Sequence, residues 1–310
     1  MKKLVVWDLF GGGQHSVRNA LKDESIFDIY TFDITQPLDD HCISVNLGNV
    51  NEVLSVIKER NIPNPDIIVA SPLCQSFSAI LSMKNGGTAG WDIKDGKMTI
   101  RDYESFALNA NKFILKSSYK HYAECAQLGG DCLYTTMKLI DMYKPKCWYI
   151  ENPKNSLIWR LLAQLYTDYK LLNDYRTMDI WMNDTYYGNY GDLMPKPTTF
   201  CSNMNLELNE TNPGSFWIKD KSTKRQWHKD FPQFTFTISE RLPGPLLRKK
   251  LGEQVYNLKL DPKFKNAENI NDYQIGEAGP RSHIPPKLIQ AIFKKFLDKL
   301  TPVSDLFLLG

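Results

Sequence analysis

Residues Asn64 to Ile80 read NPDIIVASPLCQSFSAI. An apolar run, Ile67 to Ala70, stops abruptly at Ser71-Pro72-Leu73-Cys74, and polar and aromatic residues follow. A short continuous apolar run bounded by turn formers is the pattern of a buried strand. A cysteine just past the end of such a strand is either a small hydrophobe or a nucleophile at the mouth of a sheet. Taken alone it is more often the former. What surrounds it has to decide.

The same rhythm recurs on both sides of this stretch. KLVVWDLF (Lys3 to Phe10) is a second apolar run, and it ends at Gly11-Gly12-Gly13. SVRNALKD then spaces Val17, Ala20 and Leu21 as on a helix face. FDIYTFDI is strand-like and ends near Asp33, and VNEVLSVIKERN again has helical spacing, with Val53, Leu54 and Ile57 on one face. Further on, DCLYTTMKLIDMY sets Leu133, Met137 and Ile140 on one face and stops at Lys144-Pro145, after which CWYIENP is another strand. Strand and helix alternating in this way predict an α/β fold, a Rossmann-like, doubly wound parallel sheet with helices on both faces. Such sheets bind ligands at the carboxyl ends of their strands. Asp8, Asp33, Cys74, Glu151 and Asn152 all fall at those ends, which a random scatter of polar residues would not do.

Two segments break the alternation. MKNGGTAGWDIKDGKMTIR (Met83 to Arg101) is glycine-rich and reads as a long mobile loop behind Cys74. From Asn183 onward, Pro and Gly punctuate short strand-like runs, which predicts a smaller irregular domain. The tail PRSHIPPKLIQAIFKKFLDKL holds an amphipathic helix with Leu288, Ile292, Phe293 and Phe296 on one face, expected to pack back on the main sheet. The expected division is 1–185, 186–280 and 281–310.

Composition sets the bounds. A chain of 310 residues, 42% hydrophobic and 24% charged, can bury a sizeable core. No apolar run approaches the ~20 residues that span a bilayer, and the first strand lacks a signal-peptide cleavage site, so a cytoplasmic location without membrane contact is expected. The six cysteines form no C-x-x-C pair and have no histidines at zinc spacing, so neither a metal site nor disulfides are expected. Net charge is only +3. Between Lys221 and Lys250, however, eight basic residues stand against two acidic ones, with Trp227, Phe231 and Phe234 among them. That patch suits a phosphate backbone, although a charge run is often just a solvated face.

The residues that could do chemistry remain ambiguous one by one. DLFGGG between a strand and a helix suits close approach of a nucleotide, yet it is not G-x-G-x-x-G, and a plain strand-to-helix turn fits nearly as well. Asp33 is placed to hold ribose hydroxyls or simply to close a turn. Cys74 needs an exposed, electropositive setting to act as a thiolate. Glu151, directly after Trp148-Tyr149-Ile150, is expected to be partly buried and suited to handing over a proton, or else caps a helix with Asn152.

Taken together, SPLCQSFS and YIENP resemble the nucleophile and acid motifs of the cytosine-C5 DNA methyltransferases, and DLFGGG resembles their cofactor turn. The likeness is greatest to a phage and prophage branch, whose S-P-x-C, I-E-N-P, Y-G-x-x-x-K-P-T and R-S-x-I-P segments occur here in the same order, the last two as NYGDLMPKPTTF and RSHIPPKLI. The resemblance covers about Lys3 to Phe200 and the C-terminal helix. It implies S-adenosylmethionine as cofactor and a flipped cytosine of duplex DNA as substrate. Cys74 would be the nucleophile, with Glu151 as proton donor and Asn152 orienting the base. The cofactor would be lined by Asp8, Phe10, Gly11, Gly12, Gly13, Asp33, Asn46, Ser71 and Pro72. Gln75, Ser78, Lys196, Thr198, Arg225 and Arg241 would meet nucleic acid, and the chain would act as a monomer. Gln14 and His15 stand where many members have glycines, SPLC replaces P-P-C, and Asn46 stands where an aspartate is common. No Q-x-R-x-R pair is found, leaving Lys196 as its substitute. An RNA methyltransferase with the same catalytic pair, a degenerate DNA-binding protein of the same fold, and a nicotinamide enzyme are the competing readings. The missing G-x-G-x-x-G disfavours the last.

Overall fold

The computed structural model describes residues 2–11, 15–35, 37–77, 87–109, 117–170, 180–192, 195–214 and 283–300, and the backbone alone of 217–219, 225–228 and 235–237. Two compact units interleave along the chain. One comprises Met1–Gly12, Glu24–Asn183 and Thr198–Leu206, the other Gly13–Asp23, Asp184–Pro197 and Glu207–Gly310.

The first unit is built on the expected α/β sheet. Strands β1 (Leu4–Leu9), β2 (Phe27–Asp33), β3 (Cys42–Ser44), β4 (Ile67–Ala70), β7 (Cys147–Pro153), β8 (Trp181–Tyr186) and β9 (Pro197–Ser202) lie in the order β3-β2-β1-β4-β7-β9-β8. The pairs from β3 to β7 are parallel, and β7 with β9 is antiparallel. β8 begins in this unit and ends in the other. Val5, Val6, Trp7 and Leu9 are all buried, as are Ile67 to Ala70, because a parallel sheet is covered on both faces and its strands read as unbroken apolar runs. The chain leaves β1 for β2 on one side, yet β4 pairs on the other. The crevice between the ends of β1 and β4 is therefore the switch point at which doubly wound sheets accept ligands.

Helices α2 (Val50–Glu59), α4 (Tyr119–Tyr143) and α5 (Ile158–Tyr169) share one core with alternate sheet residues, among them Trp7, Leu9, Ile68, Ala70, Trp148 and Ile150. Asn49 caps α2 by accepting from the Glu52 N–H at 3.3 Å, and Ser118 caps α4 by accepting from the His121 N–H at 3.2 Å. α4 stops where sequence places its stop, at left-handed Lys144 before Pro145. Leu133, Met137 and Ile140 are fully buried, each contributing about 1.5–3 kcal/mol.

The Met83 to Arg101 segment differs from its expected reading as a long mobile loop. Met83 to Gly86 lie outside the described residues, but β5 (Trp91–Lys94) and β6 (Lys97–Ile100) form an antiparallel hairpin. Asp95 (φ 49°) and Gly96 (φ 81°) supply the two left-handed residues of a type I′ turn. The side chain of Arg101, 2% exposed, locks the hairpin's base: its guanidinium donates to Thr88 O (3.0 Å), Trp91 O (2.9 Å) and Ser105 Oγ (2.6 Å) and faces Asp92 at 3.4 Å. Gln164 of α5 pairs with both backbone groups of Met98, accepting from its N–H at 2.7 Å and donating to its carbonyl at 3.2 Å. Helix α3 (Tyr103–Asn109) follows.

In the second unit, α1 (Ser16–Ala20) packs with α6 (Pro286–Leu300), which buries Leu288, Ile289, Ile292, Phe293 and Phe296. Ile284 N–H donates to Ser16 Oγ at 3.3 Å and Gln290 Nε2 to Ala20 O at 3.0 Å. A three-stranded antiparallel sheet, β10 (Trp217–Lys219), β11 (Arg225–His228) and β12 (Thr235–Thr237), lies in the stretch read as irregular.

Candidate active site

The sheet register brings the two sequence motifs together. Ala70, the last residue of β4, pairs with Ile150 of β7, so the chain running on to Cys74 leaves the sheet beside Glu151 and Asn152. Asn152 is fully buried, and its Nδ2 donates to the Pro72 carbonyl at 2.9 Å. That bond ties the cysteine-bearing segment to the strand of the acid. Glu151 is buried, as expected, and its strand is flanked on the other side by β9, where it pairs with Phe200.

Cys74 opens a 3-10 turn, Cys74–Phe77, that is fixed from beneath. Ser76 Oγ donates to the Cys125 carbonyl at 2.6 Å, and Leu157 N–H to the Phe77 carbonyl at 3.1 Å. The Phe77 and Trp91 rings stack at 5.6 Å and 14°. On α4, a Cβ at Gly129 would stand 2.5 Å from Ser76 Oγ, and one at Gly130 would stand 3.2 Å from the Trp91 ring. Mid-helix glycines cost about 1 kcal/mol each relative to alanine, so this adjacent pair trades helix stability for close approach of the turn and the hairpin.

Cys74 is half-buried and Gln75 beside it is exposed. Of the other thiols, Cys42, Cys132, Cys147 and Cys201 are buried, whereas Cys125 is half-buried like Cys74. Burial, then Asp131 and Asp33, pushes Cys132 up to about 12, and burial alone does the same to Cys201. Burial and then Glu124 also raise Cys125. A thiol held protonated is a poor nucleophile, which leaves buried Cys132 and Cys201 as packing residues.

At the switch point, Phe10 takes a left-handed conformation (φ 69°) and its N–H donates to Phe32 O at 2.8 Å. A Cβ at Gly11 would lie 2.0 Å from the Asp8 carboxylate, so only glycine lets the backbone turn over that acid. Asp8 is itself buried and forms one row across the sheet with Val69 and Tyr149. The Tyr149 hydroxyl is held well above its ordinary range, by burial first and then by Asp8 and Glu151. Ser71 N–H donates to Leu9 O at 3.3 Å, joining the two edges of the crevice. Asp33 closes a turn at the end of β2, accepting from Thr35 N–H at 3.0 Å. The Val45 N–H donates to Asp33 O at 2.8 Å, so Asn46 follows immediately beside it, and Asn46 Oδ1 accepts from Gly48 N–H at 2.9 Å. Two carboxylates, an amide and a turn that admits no Cβ, all along one sheet edge, fit the hydroxyls and amino group of an adenosine-type cofactor. Gly12 and Gly13 lie outside the described residues.

The remaining expected contacts lie on other elements. Thr198 is fully buried in β9, paired with Pro153. Lys196 belongs to the second unit, where its Nζ sits 4.2 Å above the Tyr187 ring, and Arg225 opens β11. Ser78 and Arg241 lie outside the described residues. Sequence reasoning passed over Ser76, Trp91, Arg101 and the Gly129-Gly130 pair. Asp95-Gly96 between two alternating runs signals the hairpin, and a glycine pair inside a helical pattern signals a close contact. Among the described residues no cluster of three or more metal-ligating side chains exists, and no helix is long and apolar enough to cross a membrane.

No family model matches the sequence, and no curated protein does. Solved structures do resemble it, and two of them are methyltransferases. One is assigned as a DNA modification methyltransferase encoded within a prophage (E. coli), with a TM-score of 0.37 at 16% identity over 64% of this chain; the match spans 46% of that protein's length. The other is the Entamoeba histolytica methyltransferase EhMeth, with a TM-score of 0.46 at 13% identity over 97% of this chain and 100% of that one. At these scores no residue's role is transferred from either protein.

Proposed function

We propose that the protein methylates C5 of cytosine in duplex DNA, using S-adenosylmethionine and a transient covalent bond from Cys74. What carries this reading is the buried hydrogen bond from Asn152 to Pro72, which joins the cysteine turn to the strand of Glu151. The motif resemblance and the crevice geometry support it.

Asp8, the Phe10–Gly11 backbone, Asp33, Asn46 and Ser71-Pro72 would hold the cofactor at the switch point. When bound, S-adenosylmethionine supplies an electrophilic methyl group. The protein's task is to make a poor carbon nucleophile attack it. The Cys74 thiolate adds to C6, forming the S–C bond, while Glu151 hands a proton to N3 and the ring's electron density moves to C5. Once C5 has been alkylated, loss of the C5 proton to solvent re-forms the C5–C6 double bond and expels the Cys74 thiolate, and N3 returns its proton to Glu151. Asn152 fixes the acid's strand against the nucleophile's turn throughout. The target base has to leave the helix, at a cost of a few kcal/mol of unstacking. In this reading Gln75, Ser78, Lys196, Arg225 and Arg241 serve the DNA, while Thr198, fully buried in β9, does not reach it, with the basic stretch 221–250 on phosphates and 186–280 as the target-recognition part.

The test is trapping. With S-adenosylmethionine and duplex DNA carrying 5-fluorocytosine, the C5 fluorine cannot leave as a proton does, so the enzyme stays attached. A denaturant-stable adduct that disappears in Cys74→Ser supports the proposal. Labelling of tRNA but not of duplex DNA would assign RNA as substrate, and DNA binding without any adduct would mark a protein that has lost turnover.

A further inference from the structure

We infer that Trp91, at the base of the β5–β6 hairpin, is a positioning residue for the Cys74 nucleophile, acting through its stack on Phe77. The inference rests on reading Cys74 as the attacking group. Five contacts converge on this point. Phe77, fully buried, ends the turn that Cys74 begins, and Trp91, 4% exposed, lies flat against it at 5.6 Å and 14°. A Cβ at Gly130 would crowd the edge of the indole at 3.2 Å, and one at Gly129 would stand 2.5 Å from Ser76 Oγ, so α4 presses close on both. The Trp91 carbonyl receives the buried Arg101 guanidinium at 2.9 Å, and the opposite strand is clamped to α5 through Gln164. The hairpin is thus a rigid block pressed between two helices, and the one aromatic face it offers to the cysteine turn is Trp91.

The chemistry of the indole points the same way. Its Nε1 is buried and has no hydrogen-bond partner among the described residues. A buried N–H of this kind is a cost, so the tryptophan serves by the area and flatness of its ring rather than by its polar atom. Trp91→Phe therefore keeps a stacking face and breaks no hydrogen bond, whereas Trp91→Ala removes the floor beneath Phe77. Loosening a reacting atom by an ångström costs on the order of 10²-fold in rate, while substrate and cofactor, held elsewhere, bind as before.

The experiment has two readouts on the full-length protein. The first is the alkylation rate of Cys74 by iodoacetamide, followed by mass spectrometry of its peptide, which needs no turnover. The second is kcat and KM for methylation of cytosine-containing duplex DNA. Trp91→Ala is expected to change Cys74 alkylation at least ~5-fold and to lower kcat by ~10- to 100-fold with both KM values within about 2-fold, and Trp91→Phe to restore both readouts to within about 3-fold of wild type. Gly130→Ala decides the matter if Trp91→Ala does not fold, because it favours the helix yet crowds the edge of the indole. It should shift Cys74 alkylation and kcat without lowering the unfolding midpoint. Unchanged alkylation in folded Trp91→Ala, or in Gly130→Ala where the former does not fold, overturns the inference. So does a defect that Trp91→Phe fails to repair. If the wild-type protein proves to methylate nothing, the function proposed above fails, while the alkylation comparison still judges the role of Trp91.

Discussion

Asn152 Nδ2 and the Pro72 carbonyl meet at 2.9 Å across 80 residues of chain, at a fully buried position. Strand pairing between β4 and β7 ends at Ala70 and Ile150, so this bond carries the register two residues further, toward the cysteine turn.

Asn152→Ala is expected to lower stability by about 1–3 kcal/mol, since the buried Pro72 carbonyl loses its donor. Asn152→Asp, of nearly equal shape but unable to donate when ionised, should do no better. Urea midpoints measure the stability loss. Adduct trapping should fall in both variants even at temperatures where they remain folded; full trapping would show the tie to be structural only.

Gly11→Ala puts a methyl group into the Asp8 carboxylate. Cofactor affinity, measured calorimetrically with S-adenosylhomocysteine, should fall by at least ~10-fold, with duplex DNA affinity unchanged; a shared loss would place Gly11 outside the cofactor turn. Adding Asp8→Ala relieves the clash, so the pair should be non-additive in stability, by roughly 0.5–3 kcal/mol as contacting sites are.

Arg101→Met removes the guanidinium that serves two carbonyls and Asp92. Leaving these groups uncompensated should cost about 3–5 kcal/mol. Arg101→Lys should recover little of it, because an ammonium cannot reproduce the planar fork. Hydrogen exchange localises the effect: amides of β5 and β6 should lose protection before those of β1 and β4.

Cys201 and Cys132 make alkaline pH a probe of the core. Their folded-state values are raised from 9.0 to about 12, so between those limits the unfolded chain releases thiol protons that the folded chain keeps. Their stabilising contribution is full below pH 9 and is lost as pH rises toward 12. For Cys201 this amounts to at most about 4 kcal/mol. Cys201→Ala should therefore be less stable at neutral pH yet show a flatter decline above pH 9 in urea titrations. In native protein at pH 8, iodoacetamide should label Cys74 and spare Cys132 and Cys201.

Much of the scaffold was legible because continuous apolar runs leave little choice. Leu4–Leu9, Ile67–Ala70 and Cys147–Ile150 can only be buried strands, and the polar residues that end them lie at one edge. Other parts depend on partners distant in sequence. β9 reads as one more short run among prolines, yet it pairs with β7, and Asn203 extends that joint by accepting from Trp148 N–H at 3.1 Å and donating to Lys146 O at 2.9 Å. The hairpin was hidden by counting glycines. Gly87 and Gly96 fill turns, whereas Gly90 packs against the Tyr122 carbonyl, so similar residues serve unlike purposes. The Phe77–Trp91 stack has no sequence signature, since nothing in either residue names the other.

The bond between Ser76 and Cys125 has a consequence for chain length. The two residues are 49 apart, and everything between them, hairpin and α3 included, departs from and returns to a single point. Loop-closure entropy grows only with the logarithm of length, so doubling that excursion would cost about 0.6 kcal/mol. Material can therefore be inserted at the exposed Asp95-Gly96 tip, beyond the paired strands, while the nucleophile keeps its seat.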